Sequence, residues 1–334
     1  MVSERDFFDE WAKKLDADIY RDIRAYNQKF ISYILRKANN DSKVNLAIET
    51  LVVVNIYQAM ALVVSPKCPE EYQAQVDALK GTLDKVFDYL HSDRYNKETE
   101  SQLENEVIAV RQQGFLEFLG RCAGFEVKFE EIGPDKVRKS DLDKVFRTPR
   151  GKYYQLKVIK EVPPPSQVPP SPKAIEIAHR FAKALEEYHS QLVEYIMQKT
   201  DMDLLVPLAL MGLEMSYLNN NMASLFLFID SSPCQDNFTG DSLVMSMEDI
   251  ETVLNHFEQA YSSRKVNETI EDYEVDAMAN SEEGAEAFIN WVIEFLLGMA
   301  ECYGIDFDVV PVPKGTTVEL KVMKYEPQKQ DSQE

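Results

Sequence analysis

Pro149-Arg-Gly-Lys-Tyr-Tyr-Gln-Leu-Lys-Val-Ile-Lys160 is answered, 164 residues later, by Pro313-Lys-Gly-Thr-Thr-Val-Glu-Leu-Lys-Val-Met-Lys324. Within each stretch apolar residues alternate with polar ones: Tyr154, Leu156 and Val158 in the first, Val318, Leu320 and Val322 in the second. That period of two reads as a strand, and the Pro-Arg/Lys-Gly triplet before it reads as a turn, where glycine accepts a positive φ. A pattern written twice makes the chain its own two-member alignment.

Working outward, the repeat continues under changed offsets. At 180, Phe115, Leu116, Cys122 and Gly124 meet Phe295, Leu296, Cys302 and Gly304. At 162, Tyr26, Tyr33, Ile34, Asp41, Val44, Leu46 and Leu51 meet Tyr188, Tyr195, Ile196, Asp203, Val206, Leu208 and Leu213. Between these blocks, Val76, Leu79 and Leu83 meet Ile250, Val253 and Phe257. Changing offsets mark insertions, which surface loops tolerate. The first copy carries extra residues at 133–148, rich in basic side chains; the second carries an acidic insertion around 230–246.

Helical spacing dominates the rest. Ile23, Tyr26, Phe30 and Ile34 recur every three or four residues, and Val44 to Val64 is the most apolar segment. Asp41 and Asp203 precede apolar runs and are placed to accept backbone N–H bonds at helix starts. Gly124 and Gly304 close the last helix of each copy. The expected fold is therefore α+β and helix-rich: a tandem duplication of a unit with about four helices followed by a C-terminal antiparallel strand pair, packed as a pseudo-dimer. Residues 1–160 form the first unit, 161–173 a Pro-rich linker, 174–326 the second unit, and 327–334 a disordered tail.

Composition narrows the function classes. The 57 acidic and 36 basic residues give a formal charge of −21, which repels phosphate backbones, so nucleic acid is not an expected partner. No apolar run is read as reaching the eighteen or so residues of a membrane span, and the longest are taken as buried helices. Cys68, Cys122, Cys234 and Cys302 lack Cys-x-x-Cys spacing and are expected to be reduced, in a cytoplasmic protein. Cys122 and Cys302 match between copies and lie on apolar stripes, which favours a core role.

Catalytic signatures are absent from the sequence: there is no phosphate loop, no Gly-x-Gly-x-x-Gly, no His-Glu-x-x-His and no Gly-x-Ser-x-Gly. His91, His179, His189 and His256 show no metal-site spacing. No cofactor, metal or enzyme activity is expected. Two candidate sites remain. Tyr26, Tyr33 and Phe115, with their counterparts Tyr188, Tyr195 and Phe295, could line a pocket for a small hydrophobic ligand. Lys136, Arg138, Lys139, Lys144, Arg147 and Arg150 form a basic arm suited to docking an acidic protein partner.

The helix Phe115-Leu-Glu-Phe-Leu-Gly-Arg-Cys-Ala-Gly124, the alternating strand after it, and Arg150-Gly-Lys-Tyr-Tyr-Gln-Leu-Lys-Val158 resemble the end of the vinyl-reductase-type ligand-binding domain and of the related small subunits of the TRAPP tethering complex. Phe295 to Val322 resembles it too. The likeness implies an α/β fold that dimerises and binds a small hydrophobic ligand or serves as an assembly platform, without chemistry. The reading that follows is a non-enzymatic binding or scaffold protein. A small-ligand sensor is the alternative and an uncharacterised enzyme the third possibility.

Overall fold

A computed structural model describes residues 25–64, 68–92, 125–136, 145–147, 153–161, 172–227, 241–266, 270–302, 305–311 and 318–325, together with 111, 113–115, 117, 118 and 121. In chain order, α1 comprises residues 25–37, α2 Ser42–Val64, α3 Pro69–His91, and α4 the described helical residues of 111–121. Strands β1 (Phe125–Ile132), β2 (Val145–Arg147) and β3 (Tyr153–Glu161) follow. The second half supplies α5 (Pro172–Lys199), α6 (Val206–Leu227), α7 (Asp241–Val266) and α8 (Ile270–Cys302), then β4 (Ile305–Pro311) and β5 (Val318–Tyr325).

The two turns between the first helices of each half have one geometry. Asn39 and Asn40 take φ of 52° and 58°, and Asp201 and Met202, 162 positions on, take 54° and 56°. Left-handed backbone stops a helix by turning the chain out of its axis, and the amide after the last turn then reaches back. Asn40 N–H donates to Leu35 O at 2.7 Å, and Met202 N–H to Met197 O at 2.9 Å. The next helix starts at once, because Asp41 Oδ1 accepts from Lys43 N–H at 2.9 Å and Asp203 Oδ1 from Leu205 N–H at 3.1 Å. Both aspartates therefore satisfy a donor of the first helical turn, as their position predicted.

The hairpins also match. β1 and β3 pair antiparallel with Phe125 opposite Glu161 and a bulge between Glu126 and Val127. β4 and β5 pair with Ile305 opposite Tyr325 and a bulge between Asp306 and Phe307. These are the partners that offsets of 180 and 164 prescribe, down to the bulge, where an extra residue bends one strand. In the first half, the segment between β1 and β3 contributes β2, which pairs with β3 to give the order β1-β3-β2.

Packing overturns the expected class. The α+β description is corrected to a helix-rich fold: its core is built by helices, and among strand side chains that are described only Phe129 packs against it. Nor does that core divide into two four-helix units. One hydrophobic cluster joins Phe30, Ile34, Leu51, Leu79, Leu192 and Phe257 from both halves. The reason is an exchange of first helices. From the first half, α1 lays Phe30 and Tyr33 edge-on to Phe257 of α7, at ring separations of 5.4 and 5.1 Å. From the second half, α5 packs along α2 and α3, with Phe181 5.7 Å from Tyr72 and Tyr188 5.9 Å from Phe87. An amphipathic stripe says that a helix has a buried face, not which half covers it.

Two further expectations change. Ser42–Ala61 is long and apolar enough to cross a membrane, contrary to the reading that no run reaches that length. It is the central core helix, with 78% of that window buried inside the fold. The expectation of four reduced thiols fails at Cys68, which is 4% exposed and disulfide-bonded, its partner lying outside the described side chains. The linker residues 162–171 and the tail 327–334 lie outside the described residues.

Candidate functional site

Helix exchange brings Tyr33, Arg36 and Lys37 of α1 against Tyr261 and Arg264 of α7, and these five residues line an open cavity of about 390 Å³. Tyr33 and Tyr261 meet edge to face, their centroids 5.7 Å apart, and both rings adjoin Phe257, which anchors this wall in the core. On α1, residues 33, 36 and 37 share one face because they are three and four positions apart.

Asp203 ties the cavity together. Its Oδ1 accepts from Tyr33 Oη at 2.7 Å as well as from the Leu205 amide, and its Oδ2 pairs with Lys37 Nζ and, at 3.1 Å, with an Arg264 terminal nitrogen. Burial pushes the Asp203 carboxyl upward; hydrogen bonds from Lys37, Tyr33 and Leu205 outweigh that and hold its pKa below the ordinary carboxylate value. A helix cap has thereby become the anchor of a cationic corner. Lys37 also lies 5.6 Å from the Tyr33 ring centroid, as Lys199 lies 5.6 Å from that of Tyr195.

The six aromatic residues expected to share a pocket are distributed over separate places. Tyr33 alone lines the cavity. Tyr26 donates to Glu251 at 2.9 Å on the same seam. Phe115 is fully buried and stacked on Tyr57 at 3.7 Å, in a packed cluster with Tyr72 and Phe118. Tyr188 contacts Asp84 at 3.3 Å, and Tyr195 meets the His91 ring at 5.9 Å, both on the α3–α5 seam. The Phe295, Cys122 and Cys302 side chains lie outside the described residues. Of the basic arm, Lys136 is exposed at the end of a short 3₁₀ turn, Pro134–Lys136, and Arg147 pairs through its backbone with Tyr153. Arg138, Lys139, Lys144 and Arg150 lie outside the described residues.

Other polar groups occupy the helical interior. His189 Nε2 lies 2.6 Å from Glu214 Oε1. Burial lowers the imidazole pKa, but the Glu214 carboxylate more than compensates, through charge and hydrogen bond, and raises it. The counterpart of His189 is Asn27, whose Oδ1 accepts from Ser216 Oγ on the same helix, α6. Glu49 is pushed up to about 7 by burial, against the opposing hydrogen bond from Asn45. Among the described residues, no three His, Cys, Asp or Glu side chains converge to hold a metal ion.

Sequence reading missed the cavity because its two walls are 228 residues apart and belong to different halves of the chain. One signal was present: Tyr33, Arg36 and Lys37 at helical spacing. Comparison of the chain with family models, curated proteins and solved structures returns no match.

Proposed function

We propose that the protein is a non-enzymatic binding or scaffold protein: a tandem duplication whose halves are knitted into a pseudo-dimer by exchange of their first helices, with a protein-interaction surface on the outside. The observation that carries this reading is what the matched positions do. Asp41 and Asp203, Asn40 and Met202, and the two bulged hairpins repeat as backbone devices. Of the polar pairs with chemical potential, His189 with Glu214 has Asn27 and Val52 as counterparts, and Lys37 with Asp203 has Lys199 and Asp41, the same residue types without an ion pair between them among the described residues. Repetition has kept architecture and let polar side chains diverge, as suits a scaffold with two unlike faces.

Co-purification of the full chain from native lysate under gentle conditions, with cross-linking and mass spectrometry, tests the reading. A stoichiometric protein partner, cross-linked at the outer faces of α5 or α7 or at the β1–β3–β2 sheet, is expected. Recovery of the chain alone overturns it.

A further inference from the structure

Helix α8 is acidic without a counterweight. Its 33 residues hold nine carboxylates and no lysine or arginine. A solvated helix gains from opposite charges three or four positions apart, and like charges at that spacing repel. Here Glu271 and Glu274 stand three apart and Glu282 and Glu286 four apart; all four are exposed, and their side chains make no hydrogen bond or ion pair with a described residue. Acidic groups in a first turn answer the helix dipole, which accounts for Glu271 but not for Glu282 and Glu286, three or more turns on. Shared ancestry does not impose the pattern either. At the offset of 180 the counterpart helix carries Arg111 and Arg121 where α8 has Trp291 and Glu301.

The same face carries exposed apolar surface. Among the described residues three large apolar side chains stand more than half exposed: Val275 at 67%, Met278 at 55% and Met202 at 61%. Helical spacing puts Glu271, Val275, Met278, Glu282 and Glu286 on one stripe, opposite the buried Ala277, Gly284 and Trp291. Ser281 Oγ donates to the Leu204 carbonyl at 3.2 Å, and Gly284 lies against Leu208, so α8 runs beside the start of α6. One turn before Ser281, Met278 therefore lies toward the end of the molecule where the 201–203 turn exposes Met202. A lone exposed apolar side chain is ordinary; two on one stripe, with a third at the same end and unpaired carboxylates around them, make a patch with a rim. Charge selects the occupant. A second copy would set carboxylates against carboxylates in a chain of formal charge −21, whereas lysine and arginine would meet the rim with opposite sign. Methionine adapts its shape to varied apolar partners. We propose that this face of α8 docks a basic amphipathic helix of a partner protein, with the partner's apolar stripe on Val275, Met278 and Met202 and its lysines and arginines against Glu271, Glu282 and Glu286.

This surface goes beyond the scaffold reading, whose expected contacts are on α5, α7 and the sheet, and its test does not depend on capturing a partner there. Calorimetric titration of the purified full chain uses a synthetic helical peptide of leucine and lysine with its leucines in one stripe. The control peptide has the same composition, with the leucines dispersed around the helix. Saturable one-to-one binding of the striped peptide is expected, about tenfold or more tighter than the control at about 0.15 M salt. Val275→Gln combined with Met278→Gln should weaken it about tenfold at an unchanged melting temperature, because both side chains are exposed. Glu271→Gln combined with Glu282→Gln should flatten the salt dependence of binding. Equal affinity for the two peptides, no saturable binding, or an apolar double variant that binds like the parent chain overturns the proposal. Two further outcomes overturn it by naming another occupant. Self-association in sedimentation that the apolar double variant abolishes would assign the face to a second copy, and peptide binding seen only after the basic residues of 133–148 are changed to glutamine would assign it to the chain's own arm.

Discussion

The corners at 39–41 and 201–203 share a backbone and differ in what hangs on it. Around Asp41 the structure solves one problem, satisfying an amide at the start of α2, and nearby Lys43 neutralises the end of α3 through the Leu90 and Ser92 carbonyls at 3.2 and 2.7 Å. Around Asp203 the same cap also holds Tyr33, Lys37 and Arg264. The difference separates the contacts the fold requires at both corners from those that only the Asp203 corner makes among the described residues. Exchange of α1 and α5 makes the comparison possible, since the Asp203 corner is completed by α1 from the other half, whereas the described contacts of Asp41 are all within its own half.

The strongest way to break it is to weaken that exchange. Phe30 is fully buried and lies flush on Gly212, where an added Cβ would come within 2.5 Å of its ring, so α1 and α6 approach closely only because residue 212 has no side chain. Phe30→Ala should cost about 3–5 kcal/mol in urea denaturation, and its counterpart Leu192→Ala about 2–5 kcal/mol. If the halves folded separately, either variant would give two transitions; a shared core predicts one, destabilised as a whole.

Next come the two aspartates. Asp41→Ala should cost about 1 kcal/mol, the ordinary loss of a helix cap. Asp203→Ala should cost about 2–3 kcal/mol at pH 7, because charge-assisted hydrogen bonds go with the cap. Sign follows from linkage: a carboxyl whose folded pKa is depressed contributes fully above its unfolded value and loses that contribution as pH falls through the folded one. The gap between the Asp203→Ala variant and the parent should therefore shrink in acid, below about pH 4. A gap that stays constant down to pH 2 would refute the ion-paired geometry.

Much of the local structure was legible in the chain, and most of its assembly was not. Offsets of 162, 180 and 164 anticipated that the two halves would match strand for strand and turn for turn, because such features depend on residues adjacent in sequence or in a ladder, although the left-handed turns and the bulges themselves were not read from the sequence. Helix exchange was hidden, since Phe30 and Leu192 show the same apolar periodicity whichever half receives them. So was the cationic cavity. Density of lysine and arginine drew attention to 133–148, whereas charge concentrated in three dimensions arises where Arg36 and Lys37 meet Arg264. The fold class was misjudged for a related reason: strands can be read from alternation, but their weight in the core depends on what packs over them.

Swapping seats between the halves sharpens the comparison at smaller scale. Glu49 occupies the seat that Met211 fills in the second copy. Its pKa of about 7 means that the folded state holds a proton the unfolded state releases near pH 4, so Glu49 weakens the fold increasingly as pH rises from 4 to 7. Glu49→Met should gain about 2 kcal/mol at pH 8, less than the full shift implies because the side chain keeps some solvent, and close to nothing at pH 4. Equal gains at both values would show that the benefit is packing alone.

The smallest expected effect has the opposite pH sign. His189 is held protonated by Glu214, so its contribution is complete below the unfolded histidine pKa near 6.5 and declines as pH rises through the higher folded value. His189→Asn installs the residue found at position 27, yet faces Glu214 where Asn27 faces Ser216. The variant should lose about 1 kcal/mol at pH 6 and progressively less as pH rises through the raised folded-state value, as the imidazolium it replaces gives up its charge. Pairing it with Glu214→Val, the residue at position 52, removes the buried carboxylate as well. Recovery of stability in that double variant would mean that the pair persists in one half for a reason other than folding. A further loss would mean that α5 and α6 depend on it to stay in register.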